Sequence, residues 1–99
     1  PTAATARAAL AQGAAVRCRD LAQARELCDA LAPEHLELHL ERARELDLGA
    51  IGWGGLFVGE GCAEVLGDYG AGPNHVLPTA GGGRFRGGLS VLDFLRARS

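Results

Sequence analysis

The feature that most limits what this chain can fold into is a glycine-rich segment, residues 59–88. It holds most of the fifteen glycines of the sequence, together with Pro73 and Pro78. Glycine and proline both interrupt regular secondary structure, so this segment predicts a long loop. A loop of that length in a small domain is usually functional or held by a neighbour. Regular structure is therefore expected before residue 59 and in a short C-terminal piece.

The first 58 residues alternate between helical and strand-like patterns. Asp20 is a suitable N-cap, Gln23 follows three residues later as a capping-box partner, and leucines recur at helical spacing up to Leu31. Short apolar or alternating runs between the helices predict strands. The sequence thus predicts three helices, over 2–12, 21–31 and 41–46, and three strands, over 14–19, 36–40 and 56–58. It also predicts a last short helix, which Ser90 and Asp93 would cap and which ends at Leu95 and Arg96.

This order of elements predicts an α/β fold with a partly parallel sheet. Three short strands make a poor sheet on their own. We therefore expect a single incomplete domain, part of a Rossmann-like layered α/β domain with a long glycine-rich active-site loop. Its regions are a helix-strand-helix-strand part (1–58), the glycine-rich loop (59–88) and a C-terminal short helix (89–99).

Composition argues against several classes of function. The net charge is −2, and the ten basic residues, all arginine, form no basic stripe, so we expect no nucleic-acid partner. No apolar run approaches the ~18 residues of a membrane span, and no signal peptide is visible, which predicts a cytoplasmic protein without a membrane partner.

The chain begins at Pro1 and contains no methionine, which suggests a processed product, an excised domain or a fragment. The odd set Cys18, Cys28 and Cys62 is expected to remain as free thiols.

The densest polar cluster is Pro33-Glu34-His35. A carboxylate and an imidazole together form an acid/base pair that works near neutral pH. Adjacent residues of a regular strand point to opposite faces, so the backbone must turn here if both side chains serve one site, and Pro33 gives it a reason to turn. The alternative is a capping glutamate and a partly buried histidine ahead of a strand.

A second cluster runs from Gly67 to His75 and contains Asp68. Its glycines would let the backbone approach a ligand closely, although an ordinary turn-rich loop has the same composition. Catalytic zinc needs about three protein ligands, and Asp68 alone cannot supply them. His35 and His39 are four residues apart but straddle a predicted strand start, so a self-contained zinc site is not favoured.

Gly81-Gly82-Gly83 is not a dinucleotide fingerprint, because no strand leads into it and no long helix follows. Arg84 and Arg86 stand beside these glycines. They could bind an anion or simply lie in a solvated loop.

Four blocks of the sequence together resemble the histidinol dehydrogenase family. They stand in the family's order and cover nearly the whole chain, so the match is far more specific than any single short motif. The blocks are Ala32-Pro33-Glu34-His35-Leu36-Glu37-Leu38, Leu56-Phe57-Val58-Gly59, the run from Gly67-Asp68-Tyr69 through Pro73-Asn74-His75 to Pro78-Thr79, and Gly88-Leu89-Ser90-Val91-Leu92-Asp93-Phe94-Leu95.

The resemblance implies oxidation of L-histidinol to L-histidine through histidinal, with two NAD used in succession and a bound Zn²⁺. Glu34 and His35 match the family's catalytic pair: His35 would take the proton of the substrate hydroxyl, and Glu34 would activate the water that attacks at the aldehyde stage. Asp68 matches a zinc ligand that also lies against the substrate. His75 matches a histidine near the substrate. Zinc would polarise the substrate oxygen.

Family members are several times longer than this chain. Their other zinc ligands and their NAD contacts lie outside the matching region, so we expect no cofactor-binding residue here and no activity from the isolated 99 residues. The resemblance also implies a homodimer. Ala80 to Gly83 departs from the family's pattern. Two other interpretations are a non-catalytic domain that acts as a binding or assembly module, and a self-contained hydrolase, for which no nucleophile or oxyanion hole is evident.

Overall fold

Two short parallel strands form the centre of the fold. The structure is a computed structural model that describes residues 2–49, 52–96 and 98. Strand β1 is His35–Leu38 and strand β2 is Gly55–Val58, paired in parallel from His35 opposite Gly55 to Leu38 opposite Val58. Backbone hydrogen bonds continue the pairing at both ends: Gly54 N–H donates to the Pro33 carbonyl, and Gly59 N–H to the Leu38 carbonyl. Both strands lie where the sequence predicts strands.

Helix α2, Leu21–Leu31, has the predicted bounds, and both of its ends are capped. The Asp20 side chain accepts a hydrogen bond from Gln23 N–H at 2.8 Å. The Gln23 side chain accepts in turn from Arg19 N–H, also at 2.8 Å. In a standard capping box the donor would be the N–H of the N-cap residue itself, which is one residue later. At the C-terminus Ala32 adopts the left-handed conformation, with φ 43° and ψ 65°, and its N–H donates to the Cys28 carbonyl.

Helix α1 spans Thr2–Leu10, close to the predicted 2–12, and has no buried residue. The strand predicted over 14–19 is wrong. These residues form no regular element, and in the part of the chain that the structure describes β1 and β2 pair only with each other. The segment in which Val16 and Cys18 alternate with arginines therefore has no neighbouring strand to pair with, and the backbone groups of an unpaired strand would be left to water.

Neither helix has the length and apolar composition needed to cross a membrane, among the residues described.

The other short elements are 3₁₀ turns. The predicted helix over 41–46 is reduced to a turn over Ala43–Glu45. Arg42, just before this turn, is exposed, and its hydrogen bond to the Glu45 side chain raises the pKa of its guanidinium. The C-terminal turn is Val91–Phe94, with the predicted capping box: the Ser90 side chain accepts from Leu92 N–H, and Ser90 N–H donates to Asp93. This turn ends at Phe94 instead of Arg96, and Ala97 and Ser99 of the predicted C-terminal region lie outside the described residues.

These elements confirm a mixed helix and strand fold with a small parallel sheet. The Rossmann-like layering and the active-site role of the glycine-rich loop stay predictions. Residues 59–88 contain two 3₁₀ turns, Glu64–Gly67 and Gly82–Arg84, and otherwise irregular backbone as far as the structure describes them.

The chain buries little of its apolar surface. Its accessible surface is 8120 Å², against about 5300 Å² for a compact monomer of 10.2 kDa. The radius of gyration is 15.7 Å, where about 13 Å is expected for this length. The buried apolar side chains are few, and large ones such as Phe85 and Phe94 are exposed. The buried apolar side chains are those of Ala32, Leu36, Ala43, Phe57 and Pro78.

We expect these 99 residues, taken alone, to bind the dye 1-anilinonaphthalene-8-sulfonate and to unfold over a broad range of urea concentration. Exposed apolar surface and a small core both favour that behaviour. Dye fluorescence and circular dichroism during urea titration would measure it, with a compact protein of equal mass as control. A sharp two-state transition without dye binding would contradict the expectation.

Candidate functional site

The two faces of β1 carry different side chains, polar on one face and apolar on the other. Residues in register in a parallel pair carry their side chains on the same face, and successive residues alternate. His35 and Glu37 therefore share one face with Phe57 of β2, while Leu36 and Leu38 share the other. On the leucine face an apolar groove of about 260 Å³ separates the strand from α2. His35 thus lies on the face of β1 away from this groove and α2.

The backbone bends at Glu34, immediately before β1 begins at His35. Gly55 N–H donates to the Glu34 carbonyl at 2.7 Å, and Gly54 N–H donates to the Pro33 carbonyl at 3.0 Å. A methyl group on Gly54 would lie 2.4 Å from the Glu34 carbonyl oxygen, so only glycine fits there. This bend is the turn that the sequence requires if Glu34 and His35 are to serve one site.

His35 is half-buried between an aromatic ring and a carboxylate. Its ring centroid is 6.0 Å from that of Phe57, with the rings tilted by 37°. Its Nε2 atom lies 3.4 Å from Oε1 of Glu64, which is a glutamate that the sequence analysis did not identify. The only sequence signal for Glu64 is its position four residues before Asp68, which is too weak to predict a contact across 29 residues. The structure thus gives His35 an acidic partner other than Glu34.

The turn Glu64–Gly67 packs against the same phenylalanine ring. A methyl group on Gly67 would lie 2.8 Å from Cζ of Phe57, so the backbone there rests directly on the ring. Asp68 follows at the end of this turn, half-buried, with its N–H donating to the Val65 carbonyl. Phe57 therefore connects two of the sequence candidates: it contacts His35 and also the residue that precedes Asp68.

His75 is exposed, and its neighbour Asn74 fixes the local backbone. The Asn74 side chain donates to the Leu89 carbonyl at 2.7 Å and accepts from Val76 N–H at 2.9 Å. Asn74 also lines an open cleft that reaches Gly54, beside the Glu34 bend. Among the described residues, no hydrogen bond or ion pair joins the His75 side chain to His35 or Asp68.

The donor atoms for a metal are incomplete here. In the part of the chain that the structure describes, no three His, Cys, Asp or Glu side chains gather closely enough to hold an ion. Nε2 of His39 lies 2.9 Å from Oε2 of Glu37, whereas Nε2 of His35 lies next to Glu64, so the two histidines have different acidic neighbours. The Asp68 carboxylate takes part in no hydrogen bond or ion pair among residues 2–49, 52–96 and 98.

The cysteines and Arg84 complete the list of sequence candidates. Cys18, Cys28 and Cys62 are free thiols, as predicted. Arg84 is exposed, and its guanidinium donates to the carbonyls of Asp29, Ala30 and Gly81; binding of an anion stays a prediction.

Comparison with known proteins gives a consistent result. A sequence model of the family described as histidinol dehydrogenase matches residues 1–99. A histidinol dehydrogenase of Thermus thermophilus is 49% identical over 96 residues, which cover 97% of this chain and 23% of that protein. One of Gluconobacter oxydans is 48% identical over 84 residues, 85% of this chain and 20% of that protein. This chain thus spans about a fifth of the length of these curated relatives.

A solved structure gives the same match in three dimensions. The crystal structure of histidinol dehydrogenase from Elizabethkingia anophelis superposes with a TM-score of 0.68 and 33% sequence identity. The match covers 74% of this chain and 17% of that one.

Replacing Gly67 with alanine should separate the turn Glu64–Gly67 from Phe57, because the added methyl group overlaps the ring. We expect the free energy of unfolding of the full-length natural protein containing this segment to fall by about 1–3 kcal/mol. Urea denaturation would measure the change. Gly61→Ala is the control, since its methyl group would meet nothing within 4 Å. Equal stabilities of the two variants would show that Gly67 does not rest on Phe57.

Proposed function

The chain belongs to the histidinol dehydrogenase family, and we propose that it supplies the acid/base part of a site that oxidises L-histidinol to L-histidine. The observation that carries this proposal is the placement of His35, at the start of β1 beside the Glu34 bend and next to Glu64. Alcohol oxidation requires a group that removes the hydroxyl proton while hydride leaves the same carbon. An imidazole with an acidic neighbour suits that task near neutral pH.

His35 accepts the proton of the L-histidinol hydroxyl in the first oxidation. The Glu64 carboxylate, 3.4 Å from Nε2, favours the tautomer with its proton on Nε2 and leaves Nδ1 as the basic nitrogen. The first oxidation yields histidinal. Glu34 then takes a proton from the water that adds to the aldehyde carbon, and a second oxidation of the hydrate gives L-histidine. Each oxidation releases one hydride and one proton.

Zn²⁺ and NAD belong to the proposal, and most of both sites lies outside this chain. The half-buried Asp68 carboxylate suits a zinc ligand, and His75 lies along the same glycine-rich loop as a substrate contact. When bound, zinc polarises the substrate oxygen and NAD accepts the hydride. Among the described residues none is assigned to NAD.

The isolated 99 residues are expected to be inactive, because one carboxylate cannot hold zinc without further ligands. The working enzyme is proposed to be a cytoplasmic homodimer in histidine biosynthesis. Its complete domain has the Rossmann-like layering that the sequence predicts, with residues 59–88 as an active-site loop. The large exposed apolar surface supports such a partnership, since the rest of the protein would cover it.

Two variants of the full-length protein should separate the proton-transfer role from the metal role. His35→Asn is expected to lower kcat by about 10²- to 10⁴-fold while zinc stays bound, because only the base is lost. Asp68→Ala should release zinc on dialysis. Turnover followed by NADH absorbance, and zinc content by atomic absorption, would distinguish them. Normal turnover in the first variant would contradict the role of His35, and unchanged zinc in the second would contradict the role of Asp68.

Glu64→Gln should lower kcat by about tenfold, equivalent to roughly 1.4 kcal/mol, since one half-exposed contact to a charged group is lost. KM for L-histidinol should stay nearly constant. Glu64→Asp, which keeps the charge, should recover part of the rate. Glu60→Gln is the matched control, because Glu60 is exposed on the preceding turn. An unchanged kcat in the Glu64→Gln variant would remove Glu64 from the proposed mechanism.

A further inference from the structure

Arg84 makes an unusual set of hydrogen bonds. Its Nη2 atom donates to the Asp29 carbonyl at 3.2 Å and to the Ala30 carbonyl, and its Nη1 atom donates to the Gly81 carbonyl at 3.4 Å. Asp29 and Ala30 lie in the last turn of α2, where carbonyls have no partner within the helix. A cation at this end also meets the negative pole of the helix dipole. The side chain therefore links the glycine-rich loop to the C-terminus of α2, across more than fifty residues of sequence.

Gly81 lies directly beside this guanidinium. Gly81 is buried in the left-handed conformation, with φ 80°, and a methyl group there would lie 2.4 Å from Nη1 of Arg84. The turn Gly82–Arg84 then follows directly. Glycine at position 81 thus allows the left-handed backbone from which the turn that carries Arg84 begins.

The same loop also contacts the segment that precedes β2. A methyl group on Gly83 would lie 2.8 Å from the Trp53 carbonyl carbon, and one on Gly52 would lie 2.9 Å from the Arg84 nitrogen. The two backbones are therefore in direct contact. Just beyond Trp53, Gly54 and Gly55 donate their N–H groups to the Pro33 and Glu34 carbonyls.

These contacts enclose the segment Ala32–His35. On one side α2 ends at Leu31 and its last carbonyls accept from Arg84. On the other side residues 54–55 donate to the Pro33 and Glu34 carbonyls, and Trp53, which precedes them, lies against Gly83. We propose that Arg84 is a positioning residue, which clamps the end of α2 to the 52–55 segment and so fixes the backbone from which Glu34 and His35 project. Its effect on turnover rests on the function proposed above, but the clamp itself does not.

Arginine suits this position better than lysine. The guanidinium is planar and carries several donors in a fixed arrangement, so it can reach three carbonyls at once, whereas an ammonium is a compact point charge on a flexible stem. Misplacing a reacting group by about 1 Å can cost about 10²-fold in rate. A small movement of the Glu34 bend is therefore enough to affect catalysis.

The test compares Arg84→Ala with Arg86→Ala in the full-length natural protein. Arg86 lies on the same loop, and its side chain makes no hydrogen bond or ion pair among the described residues. Two experiments are made on each variant. Steady-state kinetics give KM for L-histidinol and kcat per folded, zinc-loaded protein, and hydrogen exchange gives the rates of the Ala32, Gly54 and Gly55 amides. We expect Arg84→Ala to lower kcat by about ten- to a hundredfold with KM changed less than about threefold. Exchange at the three amides should accelerate at least tenfold, since local opening sets that rate. Arg86→Ala should match the natural protein in both.

Rescue separates positioning from general stability. Guanidinium chloride at millimolar concentration should restore part of kcat in Arg84→Ala, whereas sodium chloride at the same concentration should not. Arg84→Lys keeps the charge at the helix end if the alanine variant does not fold, and its kcat and exchange rates should fall between the other two. Unchanged exchange and unchanged kcat per folded protein would overturn the proposal, even if the melting temperature falls. If the natural protein has no dehydrogenase activity, the proposed function fails, and the exchange rates alone decide the clamp.

Discussion

The parallel pairing of β1 with β2 is the constraint on which the rest of this structure depends. It begins before the strands themselves, with the hydrogen bonds from Gly54 and Gly55 to the Pro33 and Glu34 carbonyls. Because the pairing register puts Phe57 on the same face as His35, the phenylalanine ring becomes the support for the imidazole and for the turn that leads to Asp68. A shift of register by one residue would turn Phe57 to the leucine face and separate the candidates.

Local features of the structure could be predicted from the sequence. Helix α2 has the predicted bounds because its signals, the Asp20 cap and the leucine spacing, act within a few residues. The Ser90 capping box is local in the same way. The strand predicted over 14–19 failed for the opposite reason: a strand exists only with a partner, and the alternation of side chains does not reveal whether one is present.

The candidate site divides along the same line. Glu34, His35 and Asp68 were identified from residue types and from the family resemblance, although their roles remain proposals. Glu64 was not identified, and the contact of Arg84 with helix α2 was not foreseen, because each contact spans 29 or more residues of sequence. The interaction of Arg84 is with backbone carbonyls, which every residue carries, so no pattern of side chains could have indicated it.

Ala32 joins the end of α2 to the acid/base segment, and two conditions meet at this residue. Its backbone is left-handed, which disfavours every side chain with a β-carbon, and only 1% of its surface is exposed, which leaves no room for a larger one. Glycine would relieve the first condition but would leave a void and a more flexible joint. We therefore expect natural variation at this position to be confined almost entirely to the two smallest amino acids, and helix α1, which has no buried residue, to vary more freely. The evolutionary rate along this chain should change abruptly within a few tens of residues, with the slowest positions at the joint and not only at the chemical groups beside it.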